Sequence, residues 1–140
     1  YGLWNMHTLD MSHNEFREID QYTFYGLWAA RVVRMNNNLI SRVKLGSFGS
    51  SGNVLEMDLS SNKLGTLLSG VFEGLSKAKF LNLADNLLMS LPPGSLTWSL
   101  SGNHALSISL QSNEHLECLP LHDVAHWQAQ GIRREAVHGC

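Results

Sequence analysis

Side chains capable of chemistry are plentiful in this 140-residue chain, seven histidines among them, but few stand at spacings that chemistry needs. His122 and His126 lie at i and i+4 within residues 121–130. Leu121, Val124, Ala125 and Gln128 fall on one side of that stretch and Gly131 follows it, a pattern that predicts one short helix. Both imidazoles would share a face, the geometry of a two-histidine metal pair. Asp123 stands where a metalloprotease helix carries glutamate, and only Asp123 or His138 stands near enough in sequence to supply a third ligand. A solvated helix face is the expected role, with no metal bound and no cofactor required.

Catalytic patterns are absent. The chain has no Gly-Lys-Ser phosphate loop and no Gly-x-Ser-x-Gly elbow. Serine, histidine and aspartate are numerous enough that counting alone excludes no triad, but no serine is marked by a strained turn, so no enzyme is expected. Ten Lys+Arg against twelve Asp+Glu give a net charge of −2, which argues against nucleic acid and against anionic membrane surfaces. No apolar run approaches the roughly 18 residues of a membrane span. No Asn-x-Ser/Thr acceptor occurs, so N-glycans are not expected to shield any face.

The elements that must position these side chains follow from a repeat. Asn14, Asn38, Asn62 and Asn86 follow one another at a constant interval, and Phe24, Phe48, Phe72 and Leu96 keep the same step, as do Ile19, Val43, Leu67 and Leu91. A period in the twenties over four copies means a solenoid. Apolar residues recur at positions 1, 4 and 6 of each copy, as in Val54/Met57/Leu59 and Ala78/Leu81/Leu83. The alternation around position 5 makes a short strand with one apolar face. Successive strands are parallel, because each returns through a long crossover. The asparagine ladder, completed by Asn113, is structural, since a primary amide both donates to and accepts from backbone groups in a buried turn.

The outward strand positions then line up in columns. Position 3 carries Thr8, Val32, Glu56 and Phe80; position 5 carries Asp10, Arg34, Asp58 and Asn82. Positions 7 and 8 carry Ser12, Asn36, Ser60 and Ala84, then His13, Asn37, Ser61 and Asp85. Strands about 4.8 Å apart set Asp10, Arg34 and Asp58 side by side. They either neutralise one another in a solvated ladder or form a mixed-charge surface with Arg34 and Phe80 as anchors.

Leu9-Asp10-Met11-Ser12-His13-Asn14 and Val71-Phe72-Glu73-Gly74-Leu75 resemble the leucine-rich repeat family, in its 24-residue variant known from extracellular receptors and secreted proteoglycans. The resemblance implies an α/β fold: a right-handed solenoid, a horseshoe arc with a parallel sheet of five strands on the concave face and mostly irregular convex turns. It divides the chain into a partial repeat 1–5, repeats 6–29, 30–53, 54–77 and 78–104, a terminal strand unit 105–117 and a cap 118–140. The fourth repeat is then the longest, with its extra length in Ser101-Gly102-Asn103-His104, Ile108 and Leu110 as the next strand residues and Asn113 in the asparagine slot. The alternative starts a strand at Trp98 with Asn103 in that slot, and makes the fourth repeat the shortest. Gly49-Ser50-Ser51-Gly52, where Ser51 replaces a core leucine, is expected to be a mobile turn.

Residues 113–120 look like the start of the cysteine-bearing flank that closes extracellular members, although two cysteines depart from its four-cysteine form. The resemblance implies a Cys118–Cys140 disulfide, worth about 2–4 kcal/mol in closing its loop, in an oxidising compartment. The function implied is non-enzymatic recognition of a protein partner, from a secreted protein or receptor ectodomain. Its binding residues would be Thr8, Asp10, Ser12, His13, Val32, Arg34, Asn36, Asn37, Glu56, Asp58, Ser60, Phe80, Asn82 and Asp85. A cytosolic adaptor or immune-receptor domain, with both thiols free, and a purely structural extracellular spacer are the alternatives. Carbohydrate is disfavoured, because Trp4, Trp28, Trp98 and Trp127 share no exposed column. Tyr1-Gly2-Leu3-Trp4 matches Tyr25-Gly26-Leu27-Trp28, so the chain opens inside a repeat. It is therefore expected to be a fragment, to show no signal peptide of its own, and to self-associate through the uncapped first repeat.

Overall fold

Short extended segments with alternate buried residues assemble into a sheet when each copy offers the next the same hydrogen-bonding edge. The computed structural model describes residues 7–91, 107–116 and 137–138. Its strands are β1 (Thr8–Asp10), β2 (Glu18–Ile19), β3 (Val32–Arg34), β4 (Arg42–Val43), β5 (Glu56–Asp58), β6 (Phe80–Asn82), β7 (Ser107–Ser109) and β8 (Val137–His138). One sheet runs β1-β3-β5-β6-β7-β8 and a second pairs β2 with β4. Every pairing is parallel. The described residues contain no helix, so the fold is a parallel-sheet solenoid of the leucine-rich repeat kind.

Leu9, Val33, Met57, Leu81 and Ile108 stand in register across five strands. Met57, Leu81 and Ile108 are fully buried, with polar or exposed residues on either side of each. The ladder outlasts the strands: Met35 N–H donates to Asp58 O, Leu59 N–H to Asn82 O and Leu83 N–H to Ser109 O, each at 2.8 Å. Leu81 pairs with Ile108, so the fourth step along the chain is longer than those before it.

Behind the sheet the chain returns through successive turns closed by bonds from residue i+3 to residue i. In the first repeat these include Thr23 N–H to Asp20 O, Leu27 N–H to Phe24 O and Ala30 N–H to Leu27 O, each at 3.2 Å. The same series recurs at Ser47, Ser51 and Val54, and again at Val71, Leu75 and Ala78. The phenyl rings recurring at a fixed step become a stack inside: Phe24 on Phe48 at 5.8 Å and Phe48 on Phe72 at 5.7 Å. Gly74 lies so close to the preceding turn that a Cβ there would run into the Phe48 carbonyl, and its φ of +110° suits glycine alone.

Three features differ from the sequence reading. The sheet has six strands instead of five, because Val137–His138, in the segment assigned to the cap, pairs with β7. A two-residue strand carries no periodic signal; the open edge of β7 selects it. Ser51, in the tract expected to turn at the surface, is buried. Its N–H donates to Phe48 O at 3.0 Å and its carbonyl accepts from Val54 N–H at 3.1 Å, which hold a small residue inward in the leucine slot. Among the mostly irregular convex turns, β2 and β4 add a short parallel pair that the periodicity does not announce, flanked by Glu18 ion pairs to Arg42 (3.7 Å) and Lys44 (3.1 Å).

Candidate interaction face of the sheet

Position 5 aligns as the periodicity requires: Asp10 opposite Arg34, and Arg34 opposite Asp58. The side chains do not pair in the same way. Asp10 Oδ1 accepts from Ser12 N–H at 3.0 Å and from Ser12 Oγ at 2.5 Å. Asp58 repeats the arrangement with Ser60, at 2.9 and 2.6 Å, and Asn82 Oδ1 accepts from Ala84 N–H at 3.0 Å. Each acid therefore closes a local turn two residues on. The Ser12 hydroxyl and amide hold the Asp10 carboxyl below its ordinary value, with the Arg34 charge a smaller cause. The ion pairs among the described residues belong to Glu18, and Arg34 forms none.

Position 3 forms a second outward column. Thr8, Glu56 and Phe80 are exposed and Val32 is half-buried, with Phe80 37% exposed. Ser12, Asn36 and Ser60 at position 7 are half-buried, and Asn36 Oδ1 is enclosed without a hydrogen-bond partner. His13, Asn37, Ser61 and Asp85 at position 8 all adopt left-handed φ of 53–56°, and Ser112 follows at 57°. The left-handed turn keeps the residue's N–H in the ladder, as in Asp85 N–H to Gln111 O at 2.8 Å. The sequence alone names His13, Asn37 and Asp85 of this column as ligand contacts and does not announce the left-handed turn. Its available signal was the His, Asn and Asp content of the column, since these residue types tolerate that region best. Ser61 and Asp85 are also linked across repeats, Oγ to Oδ2 at 2.9 Å.

Buried asparagines stitch the repeats together beneath the face. Asn62 Nδ2 donates to Leu59 O and Ser60 O in its own repeat and to Met35 O in the one before, at 3.0–3.1 Å. Its Oδ1 accepts from Ile40 N–H at 3.1 Å. Asn38, Asn86 and Asn113 repeat this stitch. Among the described residues the Asn14 side chain donates to Met11 O and Ser12 O, and it is exposed. At the far end an open cleft of about 170 Å³ is lined by Asp85, Asn86, Leu87, Ser112, Glu114 and His115. Cys118, Cys140, His122, His126, Leu96 and the tract at 101–104 lie outside the described residues. Among those described, no three His, Cys, Asp or Glu residues converge on a metal position.

Comparison with known proteins agrees with this geometry. Residues 29–88 match the family model described as leucine rich repeat. Tsukushi from Xenopus tropicalis is 33% identical over 118 residues, covering 76% of this chain and 33% of that protein. Keratocan from Gallus gallus is 31% identical over 118 residues, covering 80% of this chain and 32% of keratocan. Among solved structures, a TLR13–ssRNA13 complex superposes with a TM-score of 0.64 at 27% identity, over 74% of this chain and 14% of that one. The chain thus spans about a third of the two named relatives.

Proposed function

Because the chain is built of leucine-rich repeats and belongs to that family, we propose that it is a non-enzymatic recognition module whose concave sheet face binds a protein partner. The observation that carries this reading is the state of Arg34. Its two flanking acids bond Ser12 and Ser60, and among the described residues its guanidinium makes no ion pair. Val32 lies two residues along the same strand, and Phe80 adds an exposed ring in the position-3 column two strands away. An arginine and an aromatic on a face whose backbone is already satisfied are the usual anchors of an interface. A spacer whose charges cancel within the sheet would have this arginine paired.

Tsukushi and keratocan are secreted extracellular leucine-rich repeat proteins, which supports an extracellular setting for this chain too. No helix among the described residues is long and apolar enough to cross a membrane.

The test is a binding screen of the immobilised chain against secreted proteins and receptor ectodomains, followed by affinity measurements on any partner found. Arg34→Glu and Phe80→Ser should each weaken binding by about tenfold or more. Leu68→Ser, on the opposite limb and exposed, should leave it unchanged. The reverse pattern would move the interface off the sheet and overturn the reading.

A further inference from the structure

Among the described residues, a group of exposed aromatic side chains lies on the return limb of the first repeat, between β2 and β3. Tyr22 and Tyr25 are each 72% exposed and Trp28 is 55% exposed. Tyr22 and Tyr25 end one turn, joined by an N–H to carbonyl bond of 3.2 Å, and Tyr25 meets Trp28 edge to face at 6.4 Å. The fold does not require these rings: one repeat on, the same three positions are Gly46, Gly49 and Gly52. The rings therefore form a ridge next to three positions that carry no side chain.

The ridge ends in two cations. Arg31 Nη1 donates to the Asn53 carbonyl at 3.4 Å, and Lys77 Nζ donates to Asn53 Oδ1 at 3.2 Å. Asn53 Nδ2 in turn donates to the Trp28 carbonyl at 2.7 Å. One asparagine thus bonds the Trp28 backbone and both cations, at the corner where the return limb re-enters the sheet. Arg31 and Lys77 are exposed, and neither forms an ion pair among the described residues. Bonded only to neutral oxygens, they keep most of their donors free.

We propose that this corner binds a carboxylated oligosaccharide, with sugar rings laid on Tyr22, Tyr25 and Trp28 and a carboxylate held by Arg31 and Lys77. Flat amphipathic rings offer their faces to the C–H side of a sugar and leave its hydroxyls in water. A guanidinium beside an ammonium is a strong partner for one carboxylate. Nucleic acid fits less well, because its backbone needs cations along the whole track. Here the tyrosine end carries Asp20, whose Oδ1 accepts from Tyr22 N–H at 2.8 Å. A peptide partner would be anchored by pockets, whereas these rings project. The sequence reading looked for a tryptophan column across repeats; this cluster runs along one repeat and is completed by the next two.

The experiment is calorimetric titration of the full 140-residue chain with hyaluronan hexasaccharide, which carries a carboxylate on every second ring. Chitohexaose, poly-glutamate and a thymidine oligonucleotide are the comparators. Saturable hyaluronan binding is expected, weaker for chitohexaose and reduced about tenfold or more by Trp28→Ser and by the Arg31→Gln/Lys77→Gln pair. Circular dichroism checks the fold of each variant, and Tyr25→Ser serves if Trp28→Ser fails to fold. Arg34→Glu and Phe80→Ser should leave saccharide binding unchanged, which separates this site from the sheet face. The proposal is overturned by absent saturation at millimolar sugar, by tighter binding of poly-glutamate or the oligonucleotide, or by indifference to the ring variants.

Discussion

Neighbouring repeats are joined by backbone hydrogen bonds on the sheet limb and by side-chain packing on the turn limb. On the sheet, N–H and carbonyl groups pair across repeats, and each buried asparagine bonds two repeats at once. In the turns near residues 20–30, 44–54 and 68–78, backbone bonds largely close within a repeat. Repeats meet there through the Phe24–Phe48–Phe72 stack and the close approach of Gly74 to Phe48. Where the backbone supplies cohesion, outward side chains can change from copy to copy, as Thr8, Val32, Glu56 and Phe80 do. Where side chains supply it, the rings that stack, Phe24, Phe48 and Phe72, are kept from copy to copy.

The largest expected effect lies on the turn limb. Phe48→Ala removes a fully buried ring packed between two others, and should cost about 3–5 kcal/mol in urea denaturation. Asn62→Ala should cost about 2–3 kcal/mol by the same measurement, because it leaves the Ile40 N–H unsatisfied and takes one of two donors from the Met35 and Leu59 carbonyls, which keep Asn38 and Asn86. If the order of these two reverses, the contrast between the limbs fails. Gly74→Ala forces either the Phe48 backbone or its own turn to move, for a loss of about 2 kcal/mol. Asn14→Ala, at an exposed end of the ladder with no bond to a preceding repeat among the described residues, should cost under about 1 kcal/mol. That comparison with Asn62 isolates the value of stitching two repeats.

The smallest effect is on titration. The folded-state pKa of Asp10 lies below its ordinary value of 3.8 because of Ser12. The contribution of this carboxylate to stability is therefore present above that ordinary value and is lost as the pH falls through the folded one. Ser12→Ala should raise the Asp10 pKa toward the ordinary value, read by NMR titration of the carboxyl. Removing Arg34 should move it less. A larger shift from Arg34 would restore the cross-strand charge ladder.

The repeat made much of this legible in advance. A constant step makes every copy present the same apolar face, so the register of Leu9, Val33, Met57 and Leu81 is a consequence of spacing alone. The buried asparagines were equally legible, because a primary amide recurring inside an apolar repeat has only backbone to bond. Tertiary structure decided what several residues compete for. Asp10 and Asp58 could each reach Arg34 or a serine two residues away, and the local turn prevails because it orders fewer rotatable bonds. The pairing of Val137–His138 depends on the exposed edge of β7, and the clasp of Arg31 and Lys77 on Asn53 joins two repeats. The sequence alone determined the spacing that stacks these repeats; only the folded chain decided which neighbours its polar side chains chose, because that choice weighs a short reach against a long one in three dimensions.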